Sequence, residues 1–219
     1  MLVQSEDTTI VIDTGPDFRQ QMLRTGAKRL DAVLLTHEHN DHIIGIDDVR
    51  PFNFRQKQDI PVYADVRVQA ELKKRFEYIF SENPYPGIPQ LSLHTISKDQ
   101  AFTINKIPIS PIEVIHGKLP VLGFRFGDVT YITDARTIAE AEMKKIKGTR
   151  ILVLNALHHF EHYSHLNLAG ALEVIEALEP EQTYLTHVSH HMGLAATINS
   201  KLPSNVQLAY DEQYFWSEI

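Results

Sequence analysis

The sequence contains no cysteine. Disulfides, thiolate catalysis, cysteine zinc fingers and cysteine-bound iron–sulfur clusters are therefore excluded, and any metal has to be held by histidine and carboxylate. Nothing in the chain calls for an oxidising compartment, which fits a cytoplasmic protein. Long hydrophobic runs are missing as well: apolar strings stop after four or five residues, far short of the ~18 that a membrane helix needs. The opening stretch, Met1-Leu2-Val3-Gln4-Ser5-Glu6-Asp7, is acidic and does not read as a secretory peptide. There is no internal repeat, low-complexity tract or flexible linker. Basic charge is outnumbered, with 21 Lys and Arg against 28 Asp and Glu for a net charge of −7, which argues against avid non-specific binding to nucleic acid.

The 219 residues, 43% of them apolar, form a chain that can bury a sizeable core without staples. A single domain over 1–219 is expected. Short apolar strands at Thr8–Ile12, Ala32–Thr36 and Pro61–Ala64 alternate with helices starting at Asp17 and Asp65. The second helix carries Val68, Leu72, Phe76 and Ile79 on one stripe. Five strand-like segments follow between Leu91 and Thr133, with Gly127-Asp128 as a hairpin turn. Thr137-x-x-Glu140 reads as a capping box opening a helix to Lys147, and Asn167 as the cap of another. Strands at 151–154, 183–186 and 206–209 complete the pattern. Alternation, a strand-rich middle and alternation again fit an α/β chain, a four-layer αββα sandwich of two mixed sheets.

The compositional oddity is twelve histidines, gathered mostly in four places. His37, His39, Asp41 and His42 fall within six residues, directly after a wholly apolar strand. Alternate positions of such a segment can face one point, so His37 and His39 suit one ion, and Asp41 and His42 a second one about 3.5–4 Å away. His116 follows a strand and precedes Gly117, Asp134 ends a buried strand, and His187 repeats the placement of His37 after a threonine. A buried carboxylate in such a place needs a cation or several donors.

His37-Glu38-His39-Asn40-Asp41-His42 resembles the signature of the metallo-β-lactamase-fold hydrolases, His-x-His-x-Asp-His at the end of a strand. Asp13-Thr14-Gly15 resembles that family's early turn, His116 its downstream histidine, Asp134 its bridging aspartate, and Thr186-His187 its final Thr-His pair. The likeness spans positions 8–191. It implies a dinuclear centre of zinc or manganese held by His37, His39, Asp41, His42, His116, Asp134 and His187. Within the superfamily three segments resemble the cyclic-phosphodiesterase branch of carbon–phosphorus lyase accessory enzymes: Ile12-Asp13-Thr14-Gly15-Pro16-Asp17-Phe18-Arg19, Ser164-His165 and Leu185-Thr186-His187-Val188-Ser189-His190. That branch implies His165 beside the leaving group, as a general acid. Its relatives often carry a cysteine-built zinc site near an extended N-terminus, so this N-terminus reads as shortened or truncated relative to them. No long insertion resembles the arm that clamps transfer RNA in related nucleases.

The expected reaction is hydrolysis of a phosphodiester, with small cyclic phosphates the narrower class, by in-line attack of a metal-bridging hydroxide. Asp41 would orient the hydroxide, and Arg50, Arg55 and His190 are candidates for contact with the phosphoryl oxygens. His158, His159, His162 and His191 would be neighbours of the site. Alternatives stay open: an RNA phosphodiesterase of the transfer-RNA-processing type, a thioester or lactam hydrolase, or a non-enzymatic scaffold stapled by metal. The expected partner is a small phosphodiester; nucleic acid and a second copy of the chain remain candidates, a membrane does not.

Overall fold

The computed structural model describes residues 1–83 and 85–217. The chain divides into two compact units, 1–97 and 98–219. The first is built on a mixed five-stranded sheet in the order β1 (Leu2–Gln4), β2 (Thr9–Ile12), β3 (Ala32–Leu34), β4 (Ile60–Ala64) and β5 (Leu91–Thr95). Only the β1–β2 pairing is antiparallel. Val11, Val33, Val62 and Ala64 pack against a helical layer made of α1 (Phe18–Thr25), α2 (Asn40–Ile43), a 3₁₀ turn (Ile44–Val49), α3 (Arg50–Gln56) and α4 (Val66–Arg75). From these come Phe18, Ile43, Ile46, Phe52, Val68 and Leu72. Ile10, Ile12 and Leu34, on alternate positions, are buried too, which is why these strands read as unbroken apolar runs.

The second unit holds a mixed eight-stranded sheet. Its strands are β6 (Phe102–Ile104), β7 (Ile107–His116), β8 (Leu119–Phe126), β9 (Val129–Ile132), β10 (Thr137–Ile138), β11 (Ile151–Asn155), β12 (Gln182–Thr186) and β13 (Val206–Leu208). The antiparallel part, β10-β7-β8-β9 with β6 beside β7, passes into a parallel part, β9-β11-β12-β13. Helices α5 (Glu140–Ile146), α6 (Leu168–Leu178) and α7 (Ala195–Asn199) bury Ile146, Ile175, Leu178 and Ile198 against Ile112, Val114, Leu152, Leu154 and Leu185. Each unit is thus a sheet layer with its own helical layer, the elements of the expected αββα class.

Several local expectations hold. Asp65 caps α4 by accepting from Val68 N at 2.7 Å, and Asn167 caps α6 by accepting from Gly170 N at 2.9 Å. Gly127, at φ +55°, turns β8 into β9. Others are corrected. Thr137 caps nothing: Thr137 and Ile138 pair with Ile115 and Val114 as a strand, so the ladder takes their backbone groups and α5 starts only after Ala139. In α1 Phe18 and Met22 carry the packing, and Leu23 is 65% exposed. The segment from His37 to His42 winds at Asn40 into α2. Among the described residues no helix is long and apolar enough to cross a membrane.

Candidate metal centre

In the first unit, β2 and β3 lie parallel and end together. Asp13 leaves β2 in a left-handed conformation, φ +60°, and its carboxylate reaches across to Thr36. Oδ1 accepts from Thr36 N at 2.9 Å, and Oδ2 accepts from the Thr36 hydroxyl at 2.8 Å and from His42 Nδ1 at 2.7 Å. These bonds settle two tautomers. A carboxylate only accepts, so Nδ1 of His42 carries the hydrogen and Nε2 keeps its lone pair. The Thr36 hydroxyl has one hydrogen, given to Asp13, so its oxygen accepts from His37 Nδ1 at 3.0 Å. Nε2 of His37 is thereby left as a ligand atom, and it meets Nδ1 of His39 at 2.9 Å. Asp41 brings Oδ2 to 3.4 Å from Nε2 of His42. His37 and His42 are buried, whereas His39 and Asp41 are exposed. Glu38, between the two ligand positions, turns instead to an ion pair with Arg67.

Two glycines let the early turn press against this motif. Thr14 N donates to His42 O at 2.7 Å and Gly45 N to Thr14 O at 2.8 Å. A Cβ on Gly15 would stand 2.6 Å from Asp41 O, and one on Gly45 2.3 Å from Gly15 O. Arg50 and Arg55 lie exposed on α3, and Arg50 donates to Gly87 O at 3.2 Å.

In the second unit, His116, Asp134, His165 and His187 come together at strand ends. His116 closes β7 and donates Nδ1–H to Ser164 O at 2.8 Å, so its lone pair is on Nε2. Asp134 is 2% exposed at φ +58°, and its Oδ2 accepts from the Thr133 hydroxyl. Its Oδ1 lies 3.3 Å from His187 Nε2 and 3.7 Å from His165 Nδ1. The rings of His165 and His187 stack at 4.9 Å, and His116 stands 4.4 Å from His165. His116, Asp134 and His165 each offer one ligand atom, all within 4.8 Å of one another. Nδ1 of His165 is buried without a hydrogen-bond partner. Burial, opposed by Asp134, pushes this imidazole down to about 4, so the ring is neutral at neutral pH.

His190 sits exposed on a 3₁₀ turn, ring to ring with His191 at 3.9 Å. His158 and His162 lie nearby, with His162 5.1 Å from His165, and His159 donates Nε2–H to Met192 O. The orienting roles of Asp13, Thr36 and Ser164 were not read from the sequence. The signal for Asp13 was on view in the Asp13-Thr14-Gly15 turn.

The donor set fits a divalent cation. It consists of imidazole nitrogens and carboxylate oxygens, with three histidine tautomers held so that a lone pair faces outward. The Asp134 carboxylate is buried beside these imidazoles, where a positive charge would satisfy it.

Residues 8–188 match the family model described as a β-lactamase superfamily domain. A solved diphosphatase from the PhnP family superposes with a TM-score of 0.92 at 36% identity, covering all of this chain and 83% of that one. Among curated proteins, an octanoyltransferase of Porphyromonas gingivalis is 37% identical over 212 residues, 96% of this chain but 43% of its own length. A ribonuclease Z of Clostridium tetani is 30% identical over 132 residues, 53% of this chain and 40% of its own. The chain spans less than half the length of these curated relatives.

Proposed function

This chain belongs to the β-lactamase superfamily, and from that premise we propose that it hydrolyses phosphodiesters with two divalent ions, zinc or manganese, held by His37, His39, Asp41, His42, His116, Asp134 and His187. The observation that carries the reading is the hydrogen bonding of the histidines. Nδ1 of His37, His42 and His116 is each tied to an oxygen, which leaves Nε2 as a ligand atom. Histidines that merely decorate a polar loop have no need of such fixed tautomers. The bound ions would supply an acidified water and neutralise charge on the phosphoryl oxygens.

The chain's own residues do the rest. Asp134, buried and flanked by His187 and His165, is assigned as a carboxylate ligand. Asp41, exposed at the start of α2, is open to the attacking water. His165 is assigned to the leaving oxygen. Because burial keeps its ring neutral, its proton has to be held there by the negative charge of the bound phosphoryl group. Arg50, Arg55 and His190 are assigned to phosphate contact. The likeness to a diphosphatase at 36% identity supports phosphorus chemistry over lactam or thioester hydrolysis, and it adds diphosphate linkages to the substrates worth assaying. The octanoyltransferase name belongs to a protein more than twice the matched length, and acyl transfer is not carried over. The absence of cysteine suits action in a reducing compartment such as the cytoplasm.

The test is direct. Protein stripped with a chelator should be inert toward bis(p-nitrophenyl) phosphate, and zinc or manganese should restore turnover. Failure of both metals to do so, with turnover of a lactam or a thioester, would refute the reading.

A further inference from the structure

The four histidine and aspartate side chains that converge in the second unit come from four separate segments, and one buried amide joins them. Asn155 ends β11, the central parallel strand between β9 and β12, and is fully buried. Its Oδ1 accepts from Ala135 N at 2.8 Å and its Nδ2 donates to Ala135 O at 3.0 Å, a two-point clamp on one residue. Ala135 directly follows Asp134. The same Ala135 carbonyl accepts from Leu166 N at 2.7 Å, next to His165. Arg136 N, one residue on, donates to Ile115 O at 2.8 Å, next to His116. On the other side, Asn155 pairs in register with Thr186, and Ala156 N donates to Thr186 O at 3.0 Å, next to His187. Each of the four therefore sits one residue from a bond that Asn155, Ala156, Ala135 or Arg136 makes.

The clamp also bears on backbone conformation. Asp134 stands at φ +58° and His187 at φ +54°, a region that side chains other than glycine adopt only when their surroundings hold them there. A backbone bond can fix the ends of β9 and β12, but only a side chain can span from β11 to the residue after the Asp134 turn. Asn155 is suited to this because a carboxamide presents one donor and one acceptor in one plane. Aspartate presents two acceptors, and leucine of similar size presents none.

We propose that Asn155 is a positioning residue, whose carboxamide holds the Asp134 turn in register with His116 and His187, so that their ligand atoms converge, and with His165 beside them. The proposal rests on the metal-hydrolase reading above and makes no contact with substrate part of the role. It differs from a merely structural role in what it predicts for metal affinity. Loss of an outer hydrogen-bond partner of a ligand typically weakens metal binding ~10–100-fold. Loss of an equally buried bond elsewhere should lower stability alone. Thr130 and Thr149, bonded hydroxyl to hydroxyl at 2.6 Å and both buried, provide that control.

The experiment titrates metal-free protein with cobalt(II), read by its visible absorption, and with zinc against a competing chelator. Wild type, Asn155→Ala, Asn155→Asp and Thr149→Val are compared, each with its melting temperature with and without metal. The expected result is a ~10–100-fold weaker cobalt affinity for Asn155→Ala, with a smaller rise in melting temperature on loading. Thr149→Val should melt earlier in both states but bind cobalt like wild type. Asn155→Asp decides the matter if the alanine variant does not fold. At about pH 8 it should bind cobalt more weakly than wild type despite its added negative charge, because one oxygen then faces Ala135 O. Unchanged or tighter cobalt affinity in the Asn155 variants would overturn the positioning role while leaving the metal site standing. A wild-type protein that takes up neither metal would overturn the hydrolase reading and this inference with it.

Discussion

Replacing Asp13 by asparagine is the most informative single change in the first unit, because shape is kept and only donor and acceptor character is altered. The carboxylate accepts three bonds, from Thr36 N, the Thr36 hydroxyl and His42 Nδ1. With the new Nδ2 in the place of Oδ1 it would point at Thr36 N–H, donor against donor. With Nδ2 in the place of Oδ2, His42 Nδ1 and Thr36 Oγ1 must both become acceptors. His42 then moves its hydrogen to Nε2 and loses its outward lone pair. The Thr36 hydroxyl, freed from Asp13, donates to His37 Nδ1, and His37 loses its lone pair in the same way. Hydrogen bonds to a charged group contribute ~1.5–3 kcal/mol and neutral ones ~0.5–1.5, so losing charge at three bonds costs about 3 kcal/mol. For a chain of this length that corresponds to roughly 6–12 °C in the melting temperature of the metal-free protein. Metal affinity should fall ~10–100-fold. Calorimetry of the stripped protein, chelator competition for zinc, and ¹⁵N chemical shifts of the histidine rings would measure all three effects. Unaltered ring shifts together with wild-type zinc affinity would show that Asp13 does not set these tautomers.

Two further outcomes are expected. His165→Ala should keep two ions per chain and lose ~10²–10⁴-fold in turnover on an alkoxide leaving group but little on p-nitrophenolate, whereas Asp134→Ala should lose metal and fail on both. Metal analysis beside paired substrates separates the two, and loss of metal from the His165 variant would make that residue a ligand. Gly45→Ala, whose Cβ would stand 2.3 Å from Gly15 O, should cost ~1–3 kcal/mol by overpacking; a melting temperature equal to wild type would show that the early turn yields at no cost.

What could be read from the sequence was whatever is local. His37 to His42 announce themselves because four donors stand within six residues, and the apolar strands β3 and β11 because both of their faces are buried. Asn167 was legible as a cap, and Asp65 as the start of a helix, because a cap lies next to the helix it serves. Thr137 shows the limit of that rule, since the same residues that spell a capping box also suit an edge strand, and pairing with Ile115 prevailed. β1 and α2, of three and four residues, are too short to show any periodicity. The Asp13 to Thr36 bond joins residues 23 apart and the Asn155 clamp residues 20 apart. Such bonds exist only once neighbouring strands have fixed where their ends meet.

The left-handed backbone at Asp13, Asp134 and His187 has a consequence for anyone who would move this site to another scaffold. Each of these residues lies one or two positions past the end of a strand, in a turn of left-handed backbone. Copying the side chains onto strand ends of ordinary geometry would aim them elsewhere, however well their rotamers were chosen. The transferable unit is therefore a set of three torsion angles with the bonds that enforce them. Histidine is the least willing of these occupants, since aspartate can hydrogen-bond locally in this conformation. A graft should begin by securing the turn that carries His187 and add the ligands afterwards.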